Sequence, residues 1–565
     1  MLDNDTLTKP LADVLDHVQQ SSYADLVLRV YNATPPSAVT PSPAGPLPVR
    51  LWRILRDETK RKRLLYAMYN RLDAHFAAAE KHILPNIDAS PLLMGVPRLD
   101  VQPISKGFVH RFPPEDVQKI LEYKLDVLLR FGFNILRGDV LKTARYGIWS
   151  YHHGDNDFYR GGPAHFWELV EGNPLSGIIL QVLTEALDDG QVLCKGLAST
   201  EDTLWVSQNR VRPYLLGTTF AIRKLYELHR GGVAELTEKA VPRAPYEGKQ
   251  KIYRTPTNAQ VARFLFTKAA PKILKRLFRT KRLEHWQIGF RVGRPLLIEP
   301  GLQSEMSGFR WVRSPAGRFY ADPFLIQSNE VTYCFFEDYS YRSGRGRISC
   351  GRVTPNGDLE AVCTVLETDG HLSYPFVFQH NNEIYMIPES WDAAAVNLYR
   401  SVEMPDRWEK VTTILNLRAF DTTVFQKDGT WWMFTSVAEP PYSGHQMLLL
   451  SAPALEGPYD FHWQTPVSSD VRFARCGGRI IQNETGMYRL AQDGQGTYGA
   501  RLRIQQITHL EERDYREETT MTLRPPRGWT GLHSYDRLGE LEVIDGKKPE
   551  SADAHRETAL FTYAG

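Results

Sequence analysis

A pattern of short strands repeats through the second half of the chain at intervals of about 50 residues. Four segments begin the repeats: ADPFLI (321–326), SYPFVF (373–378), DTTVFQ (421–426) and CGGRII (476–481). The positions taken as equivalent, which give steps of 52, 48 and 56 residues, are Phe324, Phe376, Val424 and Ile480. Such periods, with three or four strands in each repeat, are typical of β-propeller blades.

Two further segments make up a fifth repeat. HSYDRLGELEVIDG (533–546) begins it, and WQIGFRV (286–292), which precedes the other repeats, supplies a strand to complete it. Pairing of the first and last strands closes a propeller and protects its edges. The sequence therefore predicts an all-β five-bladed propeller over 286–550, followed by a polar tail at 551–565.

The first 230 residues instead alternate between strand and helix patterns. LDVLLRFGFN (125–134) and GIILQVLTE (177–185) are apolar enough for buried strands, and PPEDVQKILEYKLD (113–126) has the signals of a short helix. A further strand at 24–32 is the first element, so we expect the chain to enter the fold there. The predicted fold class is multidomain, with an α/β domain at 1–230 and a basic linker containing a helix at 231–285 before the propeller.

Composition excludes several classes of function. The 68 basic and 66 acidic residues leave a net charge of +2, which gives no indication of a nucleic-acid partner. The start, MLDNDTLTKP, lacks the features of a signal peptide, and five scattered cysteines suit reduced thiols. We therefore expect a cytoplasmic protein, and we predict no metal site.

One segment of the linker is strongly basic and amphipathic. It runs from 258 to 282, as NAQVARFLFTKAAPKILKRLFRTKR. One interpretation is peripheral contact with an anionic membrane, which would make the protein membrane-associated. The other is a helix that packs its apolar stripe against a neighbouring domain.

The densest group of chemically active side chains lies in YGIWSYHHGDNDFYRGGPAHFWEL (146–169). The group follows a buried strand and a short helix, so we expect it at the carboxyl edge of a parallel sheet, where ligands bind. Downstream, the strand at 177–185 leads into an acidic Asp-x-Gly turn. The two segments together predict a site, with ordinary loop histidines bonded to nearby carboxylates as the alternative.

These two segments resemble the folate-dependent formyltransferases, which include methionyl-tRNA and sugar N-formyltransferases. Aligned on Arg160 and Gly161, the family histidine falls on His152 and the family aspartate on Asp188, whereas Ser150 stands at the family asparagine. The resemblance implies 10-formyltetrahydrofolate as cofactor, an amino-sugar acceptor, and catalysis by these three residues. His152 would donate to the oxyanion, and Asp188 would orient or deprotonate through water. The substrate contacts that we predict on this loop are His153, Asp155, Tyr159 and Arg160.

The starts of the inner propeller strands should line one central pocket. The predicted substrate-binding residues of this pocket are Asp322, Asp421, Asp470 and Arg472, together with Glu389 at the end of a second strand. Carboxylates accept hydrogen bonds from sugar hydroxyls, and the many aromatic side chains nearby can stack on sugar rings. The alternative is a structural role, in which these carboxylates bond strand ends and turn amides.

Residues 286–550 resemble the N-terminal domain of plant glucosamine inositolphosphorylceramide transferase, through YADPF, HLSYPFVF, YMIPES and DTTVF. They also resemble the five-bladed glycosidases of the arabinanase, invertase and levansucrase kind. That resemblance implies a base or nucleophile at Asp322 and a third-blade aspartate at Asp421. The fourth-blade glutamate of those enzymes is not matched, and Glu389 of the second blade is the substitute.

Three hypotheses follow. The first is a formyltransferase-like enzyme of glycan biosynthesis, acting on an amino sugar and carrying a carbohydrate-binding propeller. The second is a glycoside hydrolase or glycosyltransferase site in the propeller, with a degenerate formyltransferase domain. The third is a non-catalytic carbohydrate-binding protein.

Overall fold

A computed structural model describes residues 1–34, 56–272, 274, 282–293 and 307–551. The chain divides into two compact units, Met1–Leu277 and Phe278–Gly565. The predicted tail lies outside the described residues from 552 onward. Among the described residues, no helix combines the length and apolar content needed to cross a bilayer.

The first unit mixes helices and strands. Its helices are α1 (Lys9–Gln20), α2 (Glu58–Lys62), α3 (Leu64–His75), α4 (Ala78–Ile83), α5 (Pro114–Glu122), α6 (Phe166–Glu171), α7 (Val206–Asn209), α8 (Val211–Glu238) and α9 (Asn258–Phe264). Its strands are β1 (Thr6–Thr8), β2 (Arg29–Asn32), β3 (Asn86–Asp88), β4 (Arg98–Val101), β5 (Ile104–Lys106), β6 (Val109–Arg111), β7 (Leu128–Arg130), β8 (Ile135–Leu136), β9 (Ile148–His152), β10 (Leu175–Val182) and β11 (Gln191–Ser199).

The sheet that carries the site has the order β11-β10-β9-β7. Strands β7 and β9 run parallel, whereas β9–β10 and β10–β11 are antiparallel. The predicted parallel sheet is therefore correct for one pair and wrong for the other two. The site loop still follows the carboxyl end of β9, beside the end of its parallel neighbour.

The first residues of the chain belong to the fold. The Leu2 N–H donates to the Val30 carbonyl at 2.8 Å, and the Phe131 N–H donates to the Met1 carbonyl at 3.0 Å. Residues 1–2 thus lie between β2 and the end of β7, and both side chains are buried. The prediction that the chain enters the fold near residue 24 is wrong, because two residues are too short to give a strand pattern.

The segment 231–277 was predicted as linker but lies within the first unit. Helix α8 continues to Glu238 past a break at Gly232, and α9 buries Val261 and Phe264 in an aromatic cluster. The start of the basic segment therefore packs two of its apolar side chains inside the unit, whereas Phe266 is exposed. Residues 273 and 275–281 of that segment lie outside the described residues, so membrane contact stays a prediction.

The second unit consists of antiparallel sheets. The strands, grouped by sheet, are β14 (Arg318–Ser328), β15 (Val331–Ser340), β16 (Arg345–Val353) and β17 (Leu359–Leu366); β18 (Leu372–His380), β19 (Glu383–Ser390), β20 (Val396–Glu403) and β21 (Arg407–Leu415); β22 (Ala419–Lys427), β23 (Thr430–Val437), β24 (Met447–Ala452) and β25 (Asp460–Phe461); β26 (Arg475–Cys476), β27 (Ile481–Asn483), β28 (Gly486–Asp493), β29 (Arg501–Leu510) and β30 (Tyr515–Leu523); and β12 (Arg282–Val292), β13 (Arg310–Trp311), β31 (Tyr535–Leu538) and β32 (Leu541–Ser551).

The last of these sheets joins the two ends of the unit, as predicted. Strand β12 pairs with β32 along its whole length, from Arg282 opposite Ser551 to Val292 opposite Leu541. Inner strand β14 contacts β31 and β18, and β22 contacts β18 and β26. The Tyr535 N–H donates to the Gly477 carbonyl at 2.9 Å, which completes a ring of five inner strands.

Three inner strands share an irregularity at the same place. The register shifts around Asp322, Tyr374 and Asp421, and each of these residues has a left-handed backbone, with φ of 51°, 42° and 49°. Phe324 and Phe376 lie two residues after the irregularity, so the equivalent position in the third blade is Thr423. The alignment on Val424 was therefore wrong by one residue.

Candidate functional site

The first unit brings together the two catalytic candidates that the formyltransferase resemblance implied. His152 ends β9, and its Nδ1 lies 3.3 Å from Oδ1 of Asp188, in the turn between β10 and β11. The other ring nitrogen, Nε2, is 2.8 Å from the Tyr159 carbonyl oxygen. Both ring nitrogens of His152 therefore face an acceptor oxygen.

The turn that holds Asp188 depends on Gly161. The Gly161 N–H donates to Oδ2 of Asp188 at 2.9 Å, and Gly161 has a φ of 91°. A β-carbon at this position would lie 2.3 Å from the Tyr253 carbonyl oxygen. Asp188 itself has a φ of 50°, a left-handed conformation that aspartate tolerates better than most residues. A glycine at position 161 is thus needed to fix the carboxylate beside His152.

Ser150 lies on the same face of β9 as His152, two residues earlier, and is buried. Its hydroxyl oxygen accepts a hydrogen bond at 2.9 Å from Nε of Arg130, which is directly opposite on β7. The neighbour on the other side is Gln181 of β10, whose buried Oε1 has no hydrogen-bond partner. A polar row therefore crosses three strands beside the His–Asp pair.

The remaining loop candidates have different partners. Asp155 pairs with Lys195 at 2.6 Å, and the Tyr159 hydroxyl donates to Glu171 at 3.3 Å. Arg160 pairs with Asp189 at 3.1 Å. Arg160 and Asp189 also line a cavity of about 410 Å³, next to the turn that contains Asp188.

His153 does not belong to this site. Its ring stacks on Tyr214 with centroids 4.1 Å apart, on the opposite face of the strand from His152. Burial lowers the pKa of His153 to about 3. The structure therefore separates His153 from the other loop candidates, and its substrate contact stays a prediction.

In the second unit, one arginine joins two of the predicted carboxylates. Nε of Arg475 is 2.5 Å from Oδ2 of Asp421, and an Nη lies 3.7 Å from Glu389. The Asp421 N–H donates to Glu389 at 3.2 Å, and the Gln492 side-chain amide donates to Asp421 at 3.1 Å. Asp421 therefore has both an ion pair and a neutral donor.

The other predicted carboxylate, Asp322, belongs to a buried group with His533 and Asp545. His533 lies 2.5 Å from Asp545 through Nδ1 and 3.6 Å from Asp322 through Nε2, and its ring stacks on Trp286. Oδ1 of Asp322 is buried and has no hydrogen-bond partner. These three side chains also lie close enough together to hold a metal ion, although the sequence predicted none.

Burial changes the protonation of this carboxylate cluster. Burial raises the pKa of Asp322 to about 7, with Asp545 and Asp421 adding to the rise and His533 opposing it. Burial also raises the pKa of Glu389 to about 8, which Asp421 increases and Arg475 opposes. The pKa of Glu337, which is buried beside Asp322 and Glu389, lies well above its ordinary value. The cluster therefore contains proton donors at neutral pH.

We expect the second unit to lose thermal stability as the pH rises from about 5 to about 8. The pKa of Glu389 is about 8 in the folded chain, well above the ordinary pKa of glutamate. Between these two pH values the folded chain binds more protons than the unfolded chain, so a rise in pH favours unfolding. Calorimetry across this range should show a smaller loss in Glu389→Gln, which cannot titrate. Glu403→Gln, at an exposed position, is the control. An identical pH dependence in Glu389→Gln would contradict this explanation.

Asp470 and Arg472 were predicted for the same pocket, but they pair with each other at 2.6 Å. Sequence analysis also missed Arg475, His533 and Asp545. The second strands of the blades carried the signal that could have identified Asp545. Glu337 and Glu389 each pair with the residue that precedes the irregularity of the inner strand. Asp545 follows Ile544, which pairs with Tyr535 at the start of β31, and its carboxylate accepts the Asp322 N–H at 3.2 Å.

Comparison with known proteins finds two different groups of relatives. Residues 311–537 match the family model described as glucosamine inositolphosphorylceramide transferase 1, N-terminal. The protein of that name from Oryza sativa subsp. indica is 31% identical over 268 residues, covering 44% of this chain and 35% of the plant protein. The chain thus spans about a third of the length of the plant relative, and the predicted resemblance of the propeller is confirmed over this segment.

The formyltransferase resemblance is matched over a shorter stretch. A methionyl-tRNA formyltransferase from Prochlorococcus marinus is 35% identical over 81 residues, covering 14% of this chain and 24% of that protein.

Among solved structures, a family 117 glycoside hydrolase from Zobellia galactanivorans has a TM-score of 0.32 at 12% identity, covering 50% of this chain and 98% of the other.

Proposed function

We propose that the chain is a transferase of glycan biosynthesis that moves a formyl group from 10-formyltetrahydrofolate to the amine of an amino sugar. The observation that carries the proposal is the His152–Asp188 pair, which two separate segments bring to 3.3 Å. The acceptor class is supported by the plant relative, whose name includes glucosamine. The carboxylates at the centre of the second unit would bind the glycan.

The residues present suit a formyl donor. The buried Gln181 Oε1 lacks a partner, and Arg130 supplies donors on the same face of the sheet. Bound 10-formyltetrahydrofolate would supply an activated one-carbon unit. Asp188 would receive the amine proton through water, with His152 holding its carboxylate in place, and the cavity of about 410 Å³ beside Asp189 offers room for part of the acceptor.

The test has two stages. Calorimetry with 5-formyltetrahydrofolate, a stable stand-in for the donor, should show micromolar binding. Amino-sugar nucleotides should then accept a radiolabelled formyl group from 10-formyltetrahydrofolate, whereas their N-acetylated counterparts, with the amine blocked, should not. Well-folded protein that binds no folate would refute the proposal.

A second candidate function is glycosidic-bond chemistry in the second unit. The observation that favours it is the difference between two neighbouring carboxyl groups. Arg475 and Gln492 donate to Asp421, whereas burial raises the pKa of Glu389 to about 8. A protonated acid beside an ionised carboxylate is the arrangement that glycoside cleavage uses. If the unit does not cleave or form glycosidic bonds, the same carboxylate cluster would serve as a carbohydrate-binding site.

Place in the cell is also part of the proposal. Cytoplasmic location would give access to reduced folates and sugar nucleotides. Peripheral membrane contact through 258–282 would bring the acceptor's lipid carrier, if it has one, to the protein.

A further inference from the structure

Arg130 is a buried cation on the same face of the sheet as the His–Asp pair, and the formyltransferase resemblance does not assign it a role. It ends β7 and is directly opposite Ser150, whose hydroxyl it contacts at 2.9 Å. It interacts electrostatically with Asp188, which opposes the lowering of its pKa by burial. Its guanidinium thus faces the polar row beside His152.

A strained turn holds this guanidinium in place. Nη1 of Arg130 donates to the carbonyl oxygens of Phe133 and Asn134 at 3.2 and 2.8 Å. Phe133 has a φ of 65°, a conformation that a bulky residue adopts only when its surroundings impose it. Asp3 accepts the Phe133 N–H at 2.8 Å and fixes the turn from the other side. The side chain is therefore preorganised.

We propose that Arg130 binds the formyl oxygen and stabilises the negative charge that develops on it. This inference rests on the proposed formyl transfer. The amine lone pair forms a bond to the formyl carbon while the π pair of the carbonyl moves onto oxygen. When that pair re-forms the carbonyl, the bond to the folate nitrogen breaks and this nitrogen takes a proton, while the amine loses one.

The chemistry explains why the position needs arginine. A developing oxyanion requires a donor aimed at it before the reaction begins. His152 already has an acceptor at each ring nitrogen, and the Ser150 hydroxyl contacts the Tyr151 carbonyl at 3.3 Å. Hydrogen bonds from Nε and Nη1 fix the Arg130 guanidinium. Its third nitrogen, Nη2, can donate a hydrogen bond to the substrate.

The test compares two folates that differ in the carbonyl. Wild-type protein should bind 5-formyltetrahydrofolate about tenfold more tightly than 5-methyltetrahydrofolate, because only the first offers an acceptor to Arg130. Calorimetry on Arg130→Met should show this preference reduced to near unity. The kcat for formyl transfer should fall about 100-fold or more, with a smaller change in KM for the donor.

Two further variants make the test decisive. Arg130→Lys keeps the charge without the fork, should fold, and should retain part of the preference. Arg145→Met removes an exposed arginine of the same unit and should leave the preference intact. An undiminished preference in both Arg130 variants, or equal affinity of the wild type for the two folates, would overturn the role of Arg130. Neither result would contradict the proposed formyl transfer. Binding of neither folate would overturn the proposed function as well.

Discussion

Replacing Asp188 by asparagine should lower the rate of formyl transfer by about 100-fold or more, the range typical of losing a general acid or base. Asparagine keeps the size of the side chain and an oxygen that can accept a hydrogen bond from the Gly161 N–H. In the wild type this N–H donates to Asp188 at 2.9 Å. It removes the charge that faces Nδ1 of His152 at 3.3 Å. Single-turnover assays with saturating donor should show the loss, while affinity for 5-formyltetrahydrofolate should change less than about threefold.

The matched control is Asp139→Asn, an exposed aspartate of the same unit that pairs loosely with Lys142 at 3.8 Å. It should retain wild-type activity. If Asp188→Asn kept more than a tenth of the wild-type rate, the pair would be structural rather than catalytic. A matching loss of folate affinity would instead indicate that Asp188 holds the turn.

The His–Asp pair could be anticipated from sequence because both residues lie in short, recognisable turns. Arg130 could not be anticipated, because its place in the site depends on the parallel register between β7 and β9. The run LDVLLRFGFN predicts a strand that is buried along its whole length. A charge inside such an apolar run was the available signal, because a buried cation needs specific partners.

The propeller was predictable for a different reason. Repetition fixed the number of blades, and the predicted pairing of the two ends of the unit is observed between β12 and β32. The centre was harder, because each blade contributes a different residue type at the equivalent place. The third blade has Thr423 where the first two have phenylalanine, so the alignment fell on the neighbouring apolar Val424. Arg475 gave no pattern that a repeat search could detect.

Replacing Arg475 by methionine should be the most destabilising single change at the centre of the second unit. The arginine contacts Asp421 and Glu389, and both carboxylates are buried. Removing one partner of a buried ion pair leaves the other charge uncompensated, which costs about 3 kcal/mol or more. Chemical denaturation of the full chain, followed by a probe in the second unit, should show this loss.

The control for that substitution is Arg472→Met, three residues earlier, whose pair with Asp470 lies nearer the surface. Its loss of stability should be much smaller. The Arg475 variant should also need protonated carboxylates to stay folded, so lowering the pH towards about 5 should recover part of its stability. If glycan binding survived in Arg475→Met at that pH, the charge pair would serve the scaffold. If binding were lost while the unit stayed folded, Arg475 and its carboxylates would form the sugar site.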